Sequence, residues 1–394
     1  LKMTHWYLAL IISTMLPFLQ AWGNFGSKPE NVGLGAKSTA LDVLAYLNRS
    51  NKLSFIHPMD NVDGVVQETD NNNSNNEDKD SDVIAVVTGG NSGIGAITCK
   101  TLALAGCSKV ILCARNTKAA QELIETWPSY VANRIIIQEL DLANLNSVYR
   151  AAEEIRQLSP SSDGKFISIL VNNAGVMAPQ KRLETQQGIE LQFGTNHVGH
   201  HMLTRLLLPS MKDTSRIVNV ASTAHTMAPV PIQWERPMDK YSPFGDYGQS
   251  KLANILFAKR LQELLKQGDQ DTTMLSVSLH PGVIRTPLWK TSPGFVQAIS
   301  ALFADKSVEQ GAATSVYCCL ADDIQGGAYY SDCNVAKLKQ GTLVNDTKLR
   351  IDLWDYTERL IEEKGFVLPK MNVFSEEKKQ DSTNVEMVKS NVAE

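Results

Sequence analysis

The sequence predicts an α/β fold, a Rossmann-like doubly wound parallel sheet with helices on both faces, built as one domain. Three observations predict it. Residues 83–87, Val-Ile-Ala-Val-Val, are a short continuous apolar run, as expected of a strand covered on both faces. That run ends in the glycine-rich turn Gly89-Gly-Asn-Ser-Gly93-Ile-Gly95, which opens a helical stretch. Strand-like and helix-like segments then alternate along the chain, the pattern that right-handed crossovers turn into an open parallel sheet.

The elements follow in order. After the first strand comes a helix at 95–105, a strand at 109–114, a helix at 118–127, a strand at 134–140, a helix at 147–158 and a strand at 167–171. Further strands are expected at 216–220, 274–279 and 327–331, separated by helices at 195–210 and 247–266. The last of these helices carries Leu252, Ile255 and Leu256, then Leu261, Leu264 and Leu265, a helical spacing. Ahead of the domain, Thr39 can cap an accessory helix in which Leu41, Leu44 and Ala45 share a face, with Val43 and Leu47 nearby.

The chain divides at shifts in composition. Residues 1–25 hold an apolar stretch, Trp6 to Leu19, followed by the small residues Ala21 and Gly23; this reads as a signal peptide, with a short membrane anchor as the alternative. Residues 26–67 are the accessory helix and linker. Residues 68–82, Glu-Thr-Asp-Asn-Asn-Asn-Ser-Asn-Asn-Glu-Asp-Lys-Asp-Ser-Asp, offer no apolar side chain to offset the entropy of ordering and are expected to be a disordered spacer. Residues 83–370 are the working domain, and 371–394 a polar tail.

Composition excludes some functions. Of 394 residues, 38 are basic and 42 acidic, a net charge of -4 that argues against nucleic acid as a partner. The six cysteines show no CxxC or Cys/His ligand spacing, so neither a disulfide framework nor a metal site is indicated; they read as small buried hydrophobes. His197, His200, His201 and His225 lack accompanying carboxylate spacing and read as structural.

In such sheets ligands bind beyond the carboxyl ends of the strands. Thr88, Gly89, Asn91, Ser92, Gly93, Ile94 and Gly95 follow the first strand, where glycines bring backbone N–H groups close to a pyrophosphate at a helix start. Their spacing is neither GxGxxG nor a Walker loop. Arg115 and Asn116 end the second strand, where an NAD site would carry an acid; a guanidinium suits a 2′-phosphate, which points to NADP(H), although an exposed loop arginine would look the same. Asp141, with Leu142, follows the third strand and could accept from an adenine amino group or cap the next helix. Asn173, Ala174 and Gly175 follow the fourth, Asn196 opens a helix, and Ser222 follows the fifth. Of the ten tyrosines only Tyr247 has a lysine four residues on, Lys251, which places the ammonium on the same helix face as the phenol.

Taken together, Thr88-Gly89-x3-Gly93-x-Gly95, Asn172-Asn173-Ala174-Gly175, Asn196, Ser222, Tyr247-x3-Lys251 and Pro281-Gly282 resemble the short-chain dehydrogenase/reductase family, in the family's order. Val110 to Asn116, Thr195 to His200, Ser222 to His225 and Ser250 to Asn254 resemble the retinol dehydrogenase and WW-domain oxidoreductase branch. Ala221 departs from the pattern, standing where many relatives carry a second serine. The resemblance implies an NADP(H)-dependent oxidoreductase. In it Tyr247 is the acid/base, Ser222 holds the substrate oxygen, and Lys251 lowers the Tyr247 pKa and holds the nicotinamide ribose. It further implies that Asn196 positions a water, and that Pro281, Gly282, Val283 and Thr286 line the nicotinamide site, with Thr286 on the carboxamide; alone, Thr286 could equally terminate a loop.

The stretch between Ser222 and Tyr247 carries Met227, Val230, Ile232, Trp234, Met238, Tyr241 and Phe244, and beyond the Pro-Gly turn stand Leu288, Trp289 and Phe295. These read as a lid over a lipophilic substrate, or as mutual packing or a subunit contact. Alternatives to a retinoid-like alcohol/carbonyl enzyme are a light-dependent protochlorophyllide reductase-like enzyme and a non-catalytic NADP-binding sensor or scaffold. Membrane association through the N-terminus and a homodimer are further expectations. The apolar start directs the chain to the endoplasmic reticulum membrane or secretory pathway, with a plastid-like organelle as the alternative; sequons at Asn48, Asn72 and Asn345 matter only in a secretory lumen.

Overall fold

Strand β1 (Ile84–Thr88) buries all five of its residues because helices cover both of its faces. Ile84 and Val86 pack into one apolar layer, while Ala85 and Val87 pack into the other. The chain is seen here in a computed structural model, which describes residues 34–50, 52, 82–158, 164–268, 272–284, 306–338 and 342–371. The leader 1–25, nearly all of the spacer 68–82 and of the tail 371–394, and Thr286, Leu288, Trp289 and Phe295 lie outside the described residues. No helix among the described residues is long and apolar enough to cross a membrane.

The elements after β1 are helix α2 (Gly93–Leu104), β2 (Lys109–Ala114), α3 (Thr117–Ile124), the short α4 (Ser129–Ala132), β3 (Ile135–Glu139), α5 (Leu145–Arg156) and β4 (Ile167–Asn172). Next come α6 (Leu191–Phe193), a π-helical turn (Gly194–Val198), α7 (Gly199–Leu207), β5 (Met211–Val220), α8 (Pro243–Gly268) and β6 (Leu275–His280). Helix α9 (Val308–Leu320), β7 (Tyr329–Ser331), β8 (Asn334–Val335) and α10 (Thr347–Glu363) complete the domain, and α1 (Ala40–Arg49) precedes it. The sheet runs β3-β2-β1-β4-β5-β6-β7-β8, parallel except for the final β7–β8 pair. After β1 the sheet first grows outward through β2 and β3, then resumes on the other side of β1 with β4. That reversal splays the connections apart and opens a crevice at the carboxyl ends of β1 and β4.

Both domain-flanking helices depend on packing that the sequence reading only partly caught. Helix α1 starts with a reciprocal cap, in which Thr39 Oγ1 accepts from the Asp42 N–H and Asp42 Oδ2 accepts from the Thr39 N–H. It lies on α9 and α2. The buried face is Ala40, Val43, Leu44 and Leu47, the i, i+3, i+4, i+7 stripe, and not the face expected around Leu41, which is 46% exposed. Helices α9 and α10 were not expected, although Ser307 and Gln310 form a capping box and Asp346 caps the other. Helix α10 packs on α8. It is fastened by Arg205, whose Nε and Nη2 donate to the Glu358 carboxylate at 2.8 and 3.2 Å, and by His201, 2.6 Å from the same group. Burial alone would push the Glu358 carboxyl up, but His201 and Arg205 hold it at about 2. Trp354 of α10 stacks on Phe257 with planes 8° apart.

Boundaries moved for local reasons. Helix α8 begins at Pro243 rather than Tyr247, since proline is preorganised for a first turn and Asp246 accepts from the Ser242 N–H. Strand β5 starts at Met211, but its pairing with β4 breaks over the polar residues 212–215 before resuming at Arg216. The six cysteines are free and buried; burial pushes the thiols of Cys113, Cys319 and Cys333 up to about 12.

If α1 is an integral layer, Leu47→Ala costs about 2–5 kcal/mol of unfolding free energy, as for other buried leucines. Leu41→Ala should stay within about 0.5 kcal/mol. Urea denaturation of the two variants checks this, and equal effects would show that α1 does not pack as described.

Candidate active site

The crevice holds a cleft of about 440 Å³ whose walls come from the connections at the carboxyl edge from β3 to β6. Its floor starts with the glycine turn. Gly89 takes a left-handed φ of +67°, and its N–H donates to the Cys113 carbonyl at 2.8 Å, tying the turn to β2. A methyl on Gly89 would sit 3.0 Å from Ala174, and one on Gly95 would collide with the Gly89 carbonyl and the Asn173 amide. The backbone is therefore as close to its neighbours as glycine permits. Ser92 caps α2 without a side-chain bond, and no acidic residue stands in the first turn. The N–H groups at this helix start, around the cleft-lining residues Ser92 to Gly95, remain available to an anion.

Arg115, Asn116, Asp141 and Leu142 line the cleft beyond β2 and β3. Asn116 also caps α3 by accepting from the Ala119 N–H, 3.0 Å. Asp141 does not cap α5, which Asn144 does; its carboxylate accepts from the Ala143 N–H instead. Beyond β4, Asn173, Ala174 and Gly175 form the adjoining wall. Thr88 lies behind that wall, fully buried, with its Oγ1 accepting from the N–H groups of Asn173 and Ala174 at 2.9 and 3.0 Å.

Ser222, Tyr247 and Lys251 meet at the inner end of the cleft. The Tyr247 phenol faces the Ser222 side chain, and Lys251 Nζ lies 5.7 Å from the phenol ring centroid. Lys251 donates to the Val220 carbonyl at 3.0 Å. Burial pushes the Lys251 ammonium down to about 8. For Tyr247 burial also dominates and raises the phenol above its usual value, opposed by the nearby Ser222 hydroxyl. In the protein alone the low dielectric is the dominant influence on the phenol.

Asn196 braces this part of the site. It sits in the π-helical turn, where its Nδ2 donates to the Val176 carbonyl (2.9 Å) and to Ser250 Oγ (3.0 Å), and its Oδ1 accepts from the Val176 N–H (2.8 Å). With its amide so committed, Asn196 braces the loop after β4 and does not line the cleft. Pro281, Gly282 and Val283 do line it, while Thr286 lies outside the described residues.

A glycine turn at a helix start without a side-chain cap and a Ser-Tyr-Lys group, its Tyr and Lys buried, within one cleft is the arrangement expected of a nicotinamide-dependent enzyme. A family model described as short chain dehydrogenase matches residues 83–294. This chain is a short-chain dehydrogenase. It is 38% identical over 296 residues to the chloroplastic short-chain dehydrogenase TIC 32 B of Brassica napus, covering 71% of this chain and 88% of that protein. It is 33% identical to retinol dehydrogenase 12 of Mus musculus, covering 71% and 86%. Among solved structures, that of an uncharacterised protein from Mycobacterium Paratuberculosis is similar with a TM-score of 0.55 and 30% identity, over 73% of this chain and 95% of that one.

The histidines of this short-chain dehydrogenase brace its helices. His200 Nδ1 lies 3.0 Å from the Asn196 carbonyl, which can only accept, so the proton is on Nδ1 and Nε2 receives the Thr88 hydroxyl at 2.8 Å. Burial keeps this imidazole neutral, pushing it down to about 4. His197 pairs with Thr357 and His225 with the Ser222 carbonyl. Among the described residues no group of three His, Cys, Asp or Glu side chains is arranged to hold a metal. The stretch before Tyr247 divides in two. Ile232 and Trp234 pack against the core, and Tyr241 donates to the Pro179 carbonyl, whereas Met227 and Phe244 pack on the apolar group Met177, Ala178, Ala224 and Tyr247. Val230 and Met238 are exposed. Met177, Thr195, His280 and Ile284 line the cleft without having been singled out; Met177, His280 and Ile284 stand at or after strand ends, whereas Thr195 comes from the π-helical turn.

Lys251 supplies a test of the electrostatics. Its folded pKa, about 8, lies below the unfolded value of 10.5, so the folded state carries a charging penalty below about pH 8 that fades as pH rises toward 10.5. Lys251→Met is therefore expected to stabilise the unliganded protein at pH 7 by roughly 1–3 kcal/mol, an advantage gone above about pH 10.5. The Val220 carbonyl keeps Asn254 as a donor at 3.2 Å, so no orphan results. Thermal melts across pH check it, and a loss of stability at pH 7 would contradict the burial argument.

Proposed function

We propose that this enzyme interconverts an alcohol and a carbonyl on a lipophilic substrate using NADP(H), with Tyr247 as acid/base. The observation that carries the reading is that Ser222, Tyr247 and Lys251 line the same cleft as the glycine turn and the α2 start, where no side chain caps the free N–H groups. The cradle fits a dinucleotide: Gly89 and Gly95 have no room for a side chain, and the α2 start offers N–H groups to phosphates. When bound, the nicotinamide supplies or accepts hydride.

The chain's own groups supply position and the proton. Ser222 Oγ already accepts from the Ala224 N–H at 3.1 Å, which orients its remaining capacity toward Tyr247 and a substrate oxygen. Tyr247, kept protonated by burial, is set to donate to a developing alkoxide during reduction. Lys251 spends one N–H on Val220 and turns the rest to the cleft, where a ribose hydroxyl would lie. Arg115 at the cleft wall suits a 2′-phosphate. Met177, Ala178, Ala224, Met227 and Phe244 make the surface beside the phenol apolar, which favours an alkyl or isoprenoid carbonyl. The relatives named retinol dehydrogenases support this substrate class, and those named chloroplastic favour the plastid over the secretory route.

Tyr247→Phe should lower turnover of an aldehyde panel by about 10²–10⁴-fold, with NADPH affinity within a few-fold; activity close to that of the unsubstituted enzyme would remove Tyr247 from the mechanism. Arg115→Ala should raise the KM for NADPH about tenfold while leaving that for NADH unchanged, since one charge-assisted contact is lost. Equal effects on both cofactors in steady-state kinetics would refute the 2′-phosphate assignment.

A further inference from the structure

We infer that Lys306 and Asp332 are a positioning pair whose ion pair holds the Gly282 backbone in the cleft wall and thereby sets affinity for the dinucleotide. This rests on the dinucleotide reading above. Pro281 to Ile284 line the cleft, but nothing in their own sequence explains why they stay in place there. Lys306 does. Its N–H donates to the Val283 carbonyl at 3.3 Å, and it bridges Ile284 in parallel. Its stem wraps Gly282, which has a φ of +92°: a methyl there would run into Lys306 Cδ and come within 3.1 Å of Nζ. Only glycine admits both that conformation and that stem.

The lysine is 7% exposed and its ammonium is paired with Asp332. Asp332 is delivered by the tight β7–β8 turn, where Asp332 and Cys333 both take left-handed φ, 53° and 61°. Aspartate suits the first of these positions, whereas cysteine stands where glycine is favoured, so the turn is strained there. The turn is tied down by the Cys333 N–H donating to Thr314 Oγ1 of α9 at 3.3 Å and by Asn334 Nδ2 donating to the Asp332 carbonyl at 2.7 Å. A strained turn anchored on two sides therefore presents one carboxylate to one buried lysine, and that lysine holds the wall of the cofactor cleft. Neither partner lines the cleft itself, so both act through Gly282.

The alternative is that Lys306 serves as a counter-charge for phosphate, and the two roles differ in sign. If the pair positions Gly282, freeing the lysine by Asp332→Asn weakens binding; if charge matters, the same change tightens it. NADPH is titrated by fluorescence into the full chain carrying Lys306→Met, Asp332→Asn or Lys306→Arg, with melting temperature and kcat followed in parallel. Lys306→Met and Asp332→Asn should each weaken NADPH about tenfold. Lys306→Arg should stay within about threefold, because it keeps the ion pair. The KM for NADPH rises with affinity, while kcat at saturation holds. If Lys306→Met does not fold, weakening in Asp332→Asn with retention in Lys306→Arg carries the inference. Tighter binding by Asp332→Asn, or unchanged binding with a lowered melting temperature, overturns it. Failure of the unsubstituted protein to bind any nicotinamide nucleotide overturns the dinucleotide reading, and this inference with it.

Discussion

The hydroxyl of Thr88 joins the parts of this enzyme that must not move relative to one another. It ends β1, accepts from two N–H groups of the loop after β4, and meets the ring of His200, whose other nitrogen holds the carbonyl of Asn196. Two strands and one helix thus meet at a single buried oxygen, at the place where the sheet reverses its growth. The Asn196 carbonyl can only accept, so His200 carries its proton on Nδ1 and turns Nε2 to the Thr88 hydroxyl. Asn196 extends the brace through Val176 and Ser250 to α8, the helix that carries Tyr247 and Lys251. The residues that face the cleft are held by residues that do not.

Burial governs the chemistry within the cleft. The same low dielectric raises Tyr247 and lowers Lys251, so burial pushes each toward its neutral form. A site of this kind costs stability, and the surrounding core offsets that cost: α8 is buried along most of its length, between the sheet on one side and α10 on the other. The clamp of Arg205 and His201 on Glu358 secures α10, which accounts for four buried polar side chains, His197, His201, Arg205 and Thr357, with no part in the cleft.

Much of the fold was legible in the sequence because its strands are buried on both faces and leave unbroken apolar runs. The order of strands β1 to β7 and, α9 apart, the main helices between them follow from that signal, and the differences at their ends come from capping and breaks in pairing. Residues of the site could be found for a related reason: in this sheet a functional residue stands just after a strand, so Gly89, Arg115, Gly175, Ser222 and Gly282 mark their own positions. The face of α1 was misjudged because a short helix with apolar residues at 40, 41, 43, 44 and 47 allows two stripes, and only the neighbour α9 selects one.

What the sequence by itself determined is the local part: which segments are strands, which turn must be glycine, and that one tyrosine has a lysine on its helix face. What only the tertiary structure decided are the relations between distant segments. These are the balance of burial and charge at Tyr247, the withdrawal of Asn196 from the cleft, the brace from Thr88 to His200, and the meeting of Lys306 with Asp332. The physical reason is range. Periodicity and turn chemistry act over a few residues and leave a trace in the chain, whereas desolvation and hydrogen-bond partnership depend on what the fold brings near.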